Sequence, residues 1–249
     1  MKIGIITAMP QEFRAVSGSI GTAALTKIGP FRAGRFSFAG HEFLLVESGV
    51  GFVNAARAAE MLVDVFRPNL LISTGFCGSI ALDLLVGDVV VADKIVIAHE
   101  GTLEEIPIRF SPIGKSFVAR QVAEGKRVVG GMFVSTSTIT SKRRLAAILP
   151  DHCSNPVVEM ESGAISIIAV ENNIPLLAIR AVSDAAAEEL EFSLNEFCDS
   201  DMRRICLNKV LLTVLRKPLI IPQLVRLSRS SRMAAESITS TLSRLFSLL

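Results

Sequence analysis

Two carboxylates, Glu159 and Glu161, interrupt the apolar run Val157-Val158-Glu159-Met160-Glu161. Burying a carboxylate is costly unless it is paired or hydrogen-bonded, so this pattern suits a site that binds ligand hydroxyls. Glu12 follows the apolar segment 2–7, and Ser183-Asp184 follows the apolar segment 176–182. Carboxyl groups held at such places can give and take protons during bond cleavage. The glycine pairs of Gly49-Val50-Gly51 and Gly75-Phe76-Cys77-Gly78 let backbone approach a ligand closely. Taken singly, each feature is as well explained by a helix cap or a solvated side chain. Their recurrence after successive apolar segments is what points to one site.

Other chemistries find no support. Gly49-x-Gly51 has Asn54 where a dinucleotide fingerprint needs its third glycine, and no phosphate-binding Gly-Lys-Ser/Thr loop is present, since Gly114-Lys115-Ser116 lacks the upstream glycine. No Gly-x-Ser-x-Gly elbow exists to support nucleophilic catalysis. Cys77, Cys153, Cys198 and Cys206 lie in separate segments, and His41, His99 and His152 stand at no metal-ligand spacing. The cysteines read as reduced, buried small hydrophobes, and no metal site is expected.

The elements that must position these residues alternate between short apolar runs and longer amphipathic ones, the signature of an α/β fold. Residues 2–7 predict a strand, with Pro10 opening a helix that carries Glu12 in its first turn. A strand over 43–48, a glycine turn and a helix over 52–66 make one crossover unit. Further strands are predicted at 70–74, 86–99, 131–136 and 176–182, and helices at 141–149, 162–172 and 201–215. Glu12, the two glycine clusters, Glu159-Glu161 and Ser183-Asp184 then sit at the carboxyl ends of strands, where α/β sheets bind ligands.

Half of the 249 residues are hydrophobic and neither Trp nor Tyr occurs, so any aromatic stacking falls to Phe or His. The most apolar stretch, Leu70–Ala92, is broken by Gly75, Gly78, Asp83, Gly87 and Asp88 and reads as core strands, not as a membrane span. The net charge of +2 offers no field to draw the chain to nucleic acid. The start of the chain lacks a signal-peptide pattern, so a cytoplasmic location is expected. Residues 1–217 are read as one catalytic domain. Residues 218–249 are read as an amphipathic helical extension with Arg226, Arg229, Arg232 and Arg244 against the single acid Glu236.

Ile3–Glu12, Ser48-Gly49-Val50-Gly51, Thr74–Gly78, Val86–Val91, Val158-Glu159-Met160-Glu161 and Arg180-Ala181-Val182-Ser183-Asp184 together resemble the ordered motifs of the nucleoside phosphorylase/nucleosidase superfamily. The pattern is most similar to that of 5′-methylthioadenosine/S-adenosylhomocysteine nucleosidases, over about residues 1–215. The resemblance implies a three-layer α/β/α sandwich around a mixed, partly barrel-like sheet, and cleavage of the N-glycosidic bond of a purine nucleoside, adenine foremost. It implies Asp184 as the acid at purine N7 with Ser183 orienting it, and Glu12 as the base for the attacking water with Arg180 holding it. Glu161 would bind the ribose hydroxyls, Met160 would pack on the sugar, Ile139 on the purine, and the Thr140 backbone would read the base edge. Val50, Glu159 and Phe76 complete the implied substrate-binding set. A homodimer without cofactor or metal is also implied.

Departures from the pattern bear on the reaction. Phosphorolytic relatives carry Arg at the position of Ser73 and Ser at that of Phe76, so water is favoured over phosphate, unless Arg14, Arg57 or a second subunit compensates. Leu194 replaces a stacking Phe. Residues 215–227 resemble the C-terminal extension of hopanoid-associated phosphorylases, which opens the alternative of a lipid-linked adenosyl substrate and a peripheral membrane contact through 218–249. A non-catalytic nucleoside-binding module is the other alternative, should Phe76 block the water site.

Overall fold

The computed structural model describes residues 1–21, 24–188, 213 and 220–249. Its strands are β1 (Lys2–Thr7), β2 (Ala24–Ile28), β3 (Phe31–Phe38), β4 (His41–Glu47), β5 (Leu70–Ser79), β6 (Val89–His99), β7 (Thr102–Glu105), β8 (Val128–Thr136), β9 (Val157–Glu159) and β10 (Leu176–Asp184). Its helices are α1 (Pro10–Ile20), α2 (Phe52–Phe66), α3 (Pro112–Ala123), α4 (Lys142–Ala146), α5 (Ser162–Glu171) and α6 (Ile221–Phe246).

The strands form one mixed sheet of 10, ordered β10-β6-β8-β9-β5-β1-β4-β3-β2, with β7 on β6. β10 also pairs with β5, so β5, β10, β6, β8 and β9 close on themselves as a small barrel and β1, β4, β3 and β2 fan away from it. The central strands β1, β5 and β10 run parallel and are buried on both faces, which is why they read as near-continuous apolar runs.

Alternation along the strands divides the core in two. Leu44 and Val46 of β4, with Leu176 and Ala178 of β10, pack with α2 and α5 through Ala58, Leu62 and Ile165. Phe43 and Leu45, with Leu177 and Ile179, point the other way to Phe13 of α1, Phe117 of α3 and Ile238 of α6. The result is the expected three-layer α/β/α sandwich around a partly barrel-like sheet.

Several boundaries differ from expectation. β5 runs to Ser79 where a strand over 70–74 was expected, because Gly75 and Gly78 remain in register with β10. The hairpin of β2 and β3, the short β7, and α3 went unread, and β9 was implied ahead of Glu159-Glu161 without bounds. The helix expected over 201–215, Thr213 aside, lies outside the described residues, as do Leu194, Cys198, Cys206 and the Lys217-Pro218 boundary.

The tail docks on its own chain. Ala234, Ile238, Leu242 and Leu245 of α6 are fully buried at helical spacing, and Thr239 Oγ1 donates to the Ala15 carbonyl at 3.1 Å across to α1. At the chain ends, His41 Nε2 lies 3.0 Å from the Leu249 carbonyl while its Nδ1 lies 3.1 Å from the Met1 amine. The apolar side of this helix from Ala234 onward thus has an internal partner, where the sequence left it unassigned. No described helix is long and apolar enough to cross a membrane.

Candidate active site

Glu12 reaches its place because β1 ends at Thr7 and Pro10 starts α1 at once. Its Oε2 accepts the backbone N–H groups of Ala8 at 2.8 Å and Met9 at 2.9 Å, closing the first turn of the helix. Its Oε1 accepts the N–H of Phe76 on β5 at 2.8 Å. A Cβ on Gly75 would lie 2.5 Å from that Oε1, so glycine here makes room for the protein's own carboxylate. Burial raises the Glu12 pKa, against the opposing pull of the Arg180 charge and the three backbone donors.

Glu159 and Glu161 divide two jobs. Glu159 Oε2 takes Arg180 Nη2 at 2.7 Å and the N–H groups of Glu161 and Ser162 at 3.0 and 2.7 Å, so it is a structural anchor at the start of α5. Glu161 Oε1 accepts the Gly51 N–H at 2.8 Å, where the positive end of α2 begins. Its Oε2 stands 3.8 Å from Arg180. Burial, then the neighbouring Glu159 charge, pushes the Glu161 pKa up to about 7. Arg180 was expected to hold Glu12. Its hydrogen-bonded carboxylate is Glu159 instead, and it acts on Glu12 only through its charge.

Ser183 is the extra residue of a bulge in β10, where Val182 pairs with Cys77 and Asp184 with Gly78. Such a bulge re-aims side chains. Ser183 Oγ donates to the Asp184 Oδ1 at 2.8 Å and lies 3.2 Å from the Cys77 carbonyl. The other carboxylate oxygen, Oδ2, forms an ion pair with Lys142 at the start of α4. Lys142 Nζ also donates to the carbonyls of Ala185 at 2.7 Å and Asp184 at 3.3 Å. Sequence reasoning missed this residue, since Lys142-Arg143-Arg144 reads as a solvated charge run. Burial alone sets Lys142 apart, as the first of the three is buried and the other two are exposed.

These groups surround a cavity of about 180 Å³. Glu12, Val50, Phe76, Ile139, Thr140, Glu159, Met160, Glu161, Ser183 and Asp184 all line it, as do Ala8, Met9, Cys77, Gly78, Thr136, Lys142 and Val158. Arg180 lies one layer beneath, behind Glu159. Burial pushes the Cys77 thiol well up, keeping it a neutral wall. Ser73 is buried away from the cavity, its Oγ 3.1 Å from Ser162 Oγ, while Arg14 and Arg57 are exposed and outside the lining. Among the described residues no group of three His, Cys, Asp or Glu could hold a metal ion.

The arrangement offers one carboxyl group beside an ammonium, one carboxylate pinned by backbone donors, and a third titrating near neutrality. It can move protons on both sides of a bound molecule and favour positive charge between them.

A family model described as the phosphorylase superfamily matches residues 2–215. The 5′-methylthioadenosine/S-adenosylhomocysteine nucleosidase of Actinobacillus succinogenes is 33% identical over 219 residues, 83% of this chain and 95% of that protein. Among solved structures, the corresponding Neisseria meningitidis nucleosidase in complex with methylthio-immucillin-A superposes with a TM-score of 0.75 at 22% identity, covering 100% of this chain and 99% of the other. The futalosine hydrolase of Helicobacter pylori gives a TM-score of 0.75 at 15% identity, covering 100% and 98%.

Proposed function

The chain belongs to the phosphorylase superfamily, and from that premise we propose that it is a nucleosidase hydrolysing the N-glycosidic bond of a purine, specifically adenine, nucleoside. The observation that carries the assignment to these residues is the convergence of Glu12, Glu161 and Asp184 on a single cavity.

Cleavage of a C–N glycosidic bond leaves an electron-poor sugar and an electron-rich base, so the enzyme must protonate the base, favour the cation and deliver a nucleophile. Asp184, oriented by Ser183, supplies the proton to purine N7. Glu161 accepts the ribose hydroxyls and Met160 packs on the sugar, while Ile139 and the Thr140 backbone meet the base. Glu12 takes the proton of the water that attacks C1′. Glu12, Glu159 and Glu161 face one guanidinium, Arg180, so the cavity floor favours a developing cation.

Water as the nucleophile is supported by the lining, which carries no arginine among the described residues. The one cation among the described lining residues, Lys142, is already ion-paired to Asp184, so a phosphate dianion finds no bidentate partner among them. The chemistry needs no cofactor. The reading includes a cytoplasmic homodimer, with Val53, Leu82 and Leu85 as exposed apolar residues free to serve a subunit contact; light scattering returning a monomer would remove that part.

The test is release of base from methylthioadenosine, adenosylhomocysteine, deoxyadenosine and inosine, with and without phosphate. The adenine nucleosides are expected to release base in phosphate-free buffer. Folded protein that releases none from any of the four would refute the assignment.

A further inference from the structure

We propose that Lys142 is the immediate proton source for Asp184, so that the acid of the reaction is a Lys142–Asp184 pair and not a lone carboxyl group. The inference rests on the nucleosidase reading above.

Three observations converge. Both carboxylate oxygens of Asp184 accept a hydrogen bond or ion pair in the resting site, Oδ1 from Ser183 Oγ and Oδ2 from Lys142 Nζ. A carboxylate so occupied has nothing to donate until a proton reaches it. Next, Lys142 is 5% exposed and lines the cavity beside Asp184, so it is not a surface cation that strayed into contact. Its remaining donors hold the Asp184 and Ala185 carbonyls, which fixes the ammonium against the turn after β10. Finally, the space is made by the fold: a Cβ at Gly78 would come within 2.7 Å of Asp184 Oδ2 and 2.8 Å of Lys142 Cε. One glycine thus leaves room for both partners.

A buried ion pair is held against a large desolvation cost, and a base closing the cavity mouth raises that cost further. Moving the proton gives a neutral amine beside a neutral acid, which needs no charge to be solvated. An Nζ–H bond of Lys142 breaks and an O–H bond forms on Asp184. That O–H then breaks as N7–H forms, while the electron pair of the N9–C1′ bond passes to N9. Water bonds to C1′ and its proton goes to Glu12. Return of this proton through solvent to the Lys142 amine restores the enzyme, so the net reaction consumes one nucleoside and one water. A lysine ammonium can pass a proton to a hydrogen-bonded carboxylate and regain it, whereas an arginine guanidinium holds its protons.

The experiment compares wild type, Lys142→Met and Lys142→Arg by kcat and KM for methylthioadenosine, with thermal unfolding as the control for folding. Lys142→Met is expected to lower kcat by about 100-fold, in the range of lost acid catalysis, with KM within about threefold, and Lys142→Arg is not expected to restore it. A retained kcat in Lys142→Met overturns the proposal. So does a rise in KM that matches the loss in kcat, which marks a purely structural role, or recovery in Lys142→Arg, which marks a need for charge alone. Should Lys142→Met fail to fold, the charge-preserving Lys142→Arg decides: folded and slow supports the pair, folded and fast rejects it. Absence of base release by wild type would count against the nucleosidase reading itself.

Discussion

Glu161 shows how a single side chain can tie binding to pH. Its carboxyl is pushed up to about 7 by burial first and by Glu159 second, with Arg180 and the Gly51 N–H pulling the other way. As an ionised acceptor it should hold ribose hydroxyls more tightly, so calorimetric affinity for a nucleoside is expected to rise as pH passes through about 7. A Glu161→Gln variant should bind more weakly and lose that dependence; an unchanged pH dependence in the variant would assign it elsewhere. The same shift has a cost in stability. The folded chain keeps this proton up to about 7, while the unfolded chain releases it near the ordinary 4.5. The contribution is therefore present below pH 4.5 and is lost as pH rises through about 7. Asp184→Asn should reduce kcat by about 10²–10⁴-fold and also destabilise the fold, because it strands the buried Lys142 ammonium at a cost of about 3–5 kcal/mol. Adding Lys142→Met should restore the melting temperature but not the rate, and a double variant no more stable than the single one would show that the pair is not a closed unit.

Among the elements, α6 carries the clearest test of packing. Leu242 is fully buried in the face that meets α1 and the sheet, so Leu242→Ala is expected to destabilise by about 2–5 kcal/mol in urea unfolding. A loss under 0.5 kcal/mol, the scale of surface changes, would mean that the helix is not part of the core. Legibility in the sequence followed the length and periodicity of each element. The helix over 52–66 was read to the residue because its apolar positions repeat cleanly between a glycine and a proline signal. β9, with three residues, and the exposed hairpin strand β2 carry too little pattern to be found that way. β5 was cut short because Gly75 and Gly78 interrupt its apolar run and read as room for a ligand, whereas their lack of a side chain makes room for Glu12 and Asp184 within a continuing strand. Glu12, Glu159, Glu161, Ser183 and Asp184 were legible from their type and their place after apolar runs, and Val50, Met160, Ile139 and Thr140 from the family resemblance. Lys142 was not, since pairing across 42 positions of chain leaves no local signal.

Across the whole molecule, the surplus of apolar residues is divided between the two faces of the sheet, one of which takes the docked end of α6, and a smaller cluster where Leu145 of α4 meets Val96 of β6 and Val134 of β8. The circuit matters for function because β5, β9 and β10 bring their carboxyl-terminal or bulged residues to one rim, with Glu12 and Gly51 arriving from the adjacent β1 and β4 crossovers. A rim of acids with no arginine among the described lining residues is suited to water as the attacking group. Hydrolysis of a purine N-glycoside in this cavity is the reading on which the rest depends. It is tested most directly by turning over methylthioadenosine in ¹⁸O-labelled water with phosphate present, and weighing the sugar product by mass spectrometry. Hydrolysis predicts adenine together with a free sugar carrying one ¹⁸O at C1′. A sugar 1-phosphate as the product, or no cleavage by the folded enzyme, would contradict it.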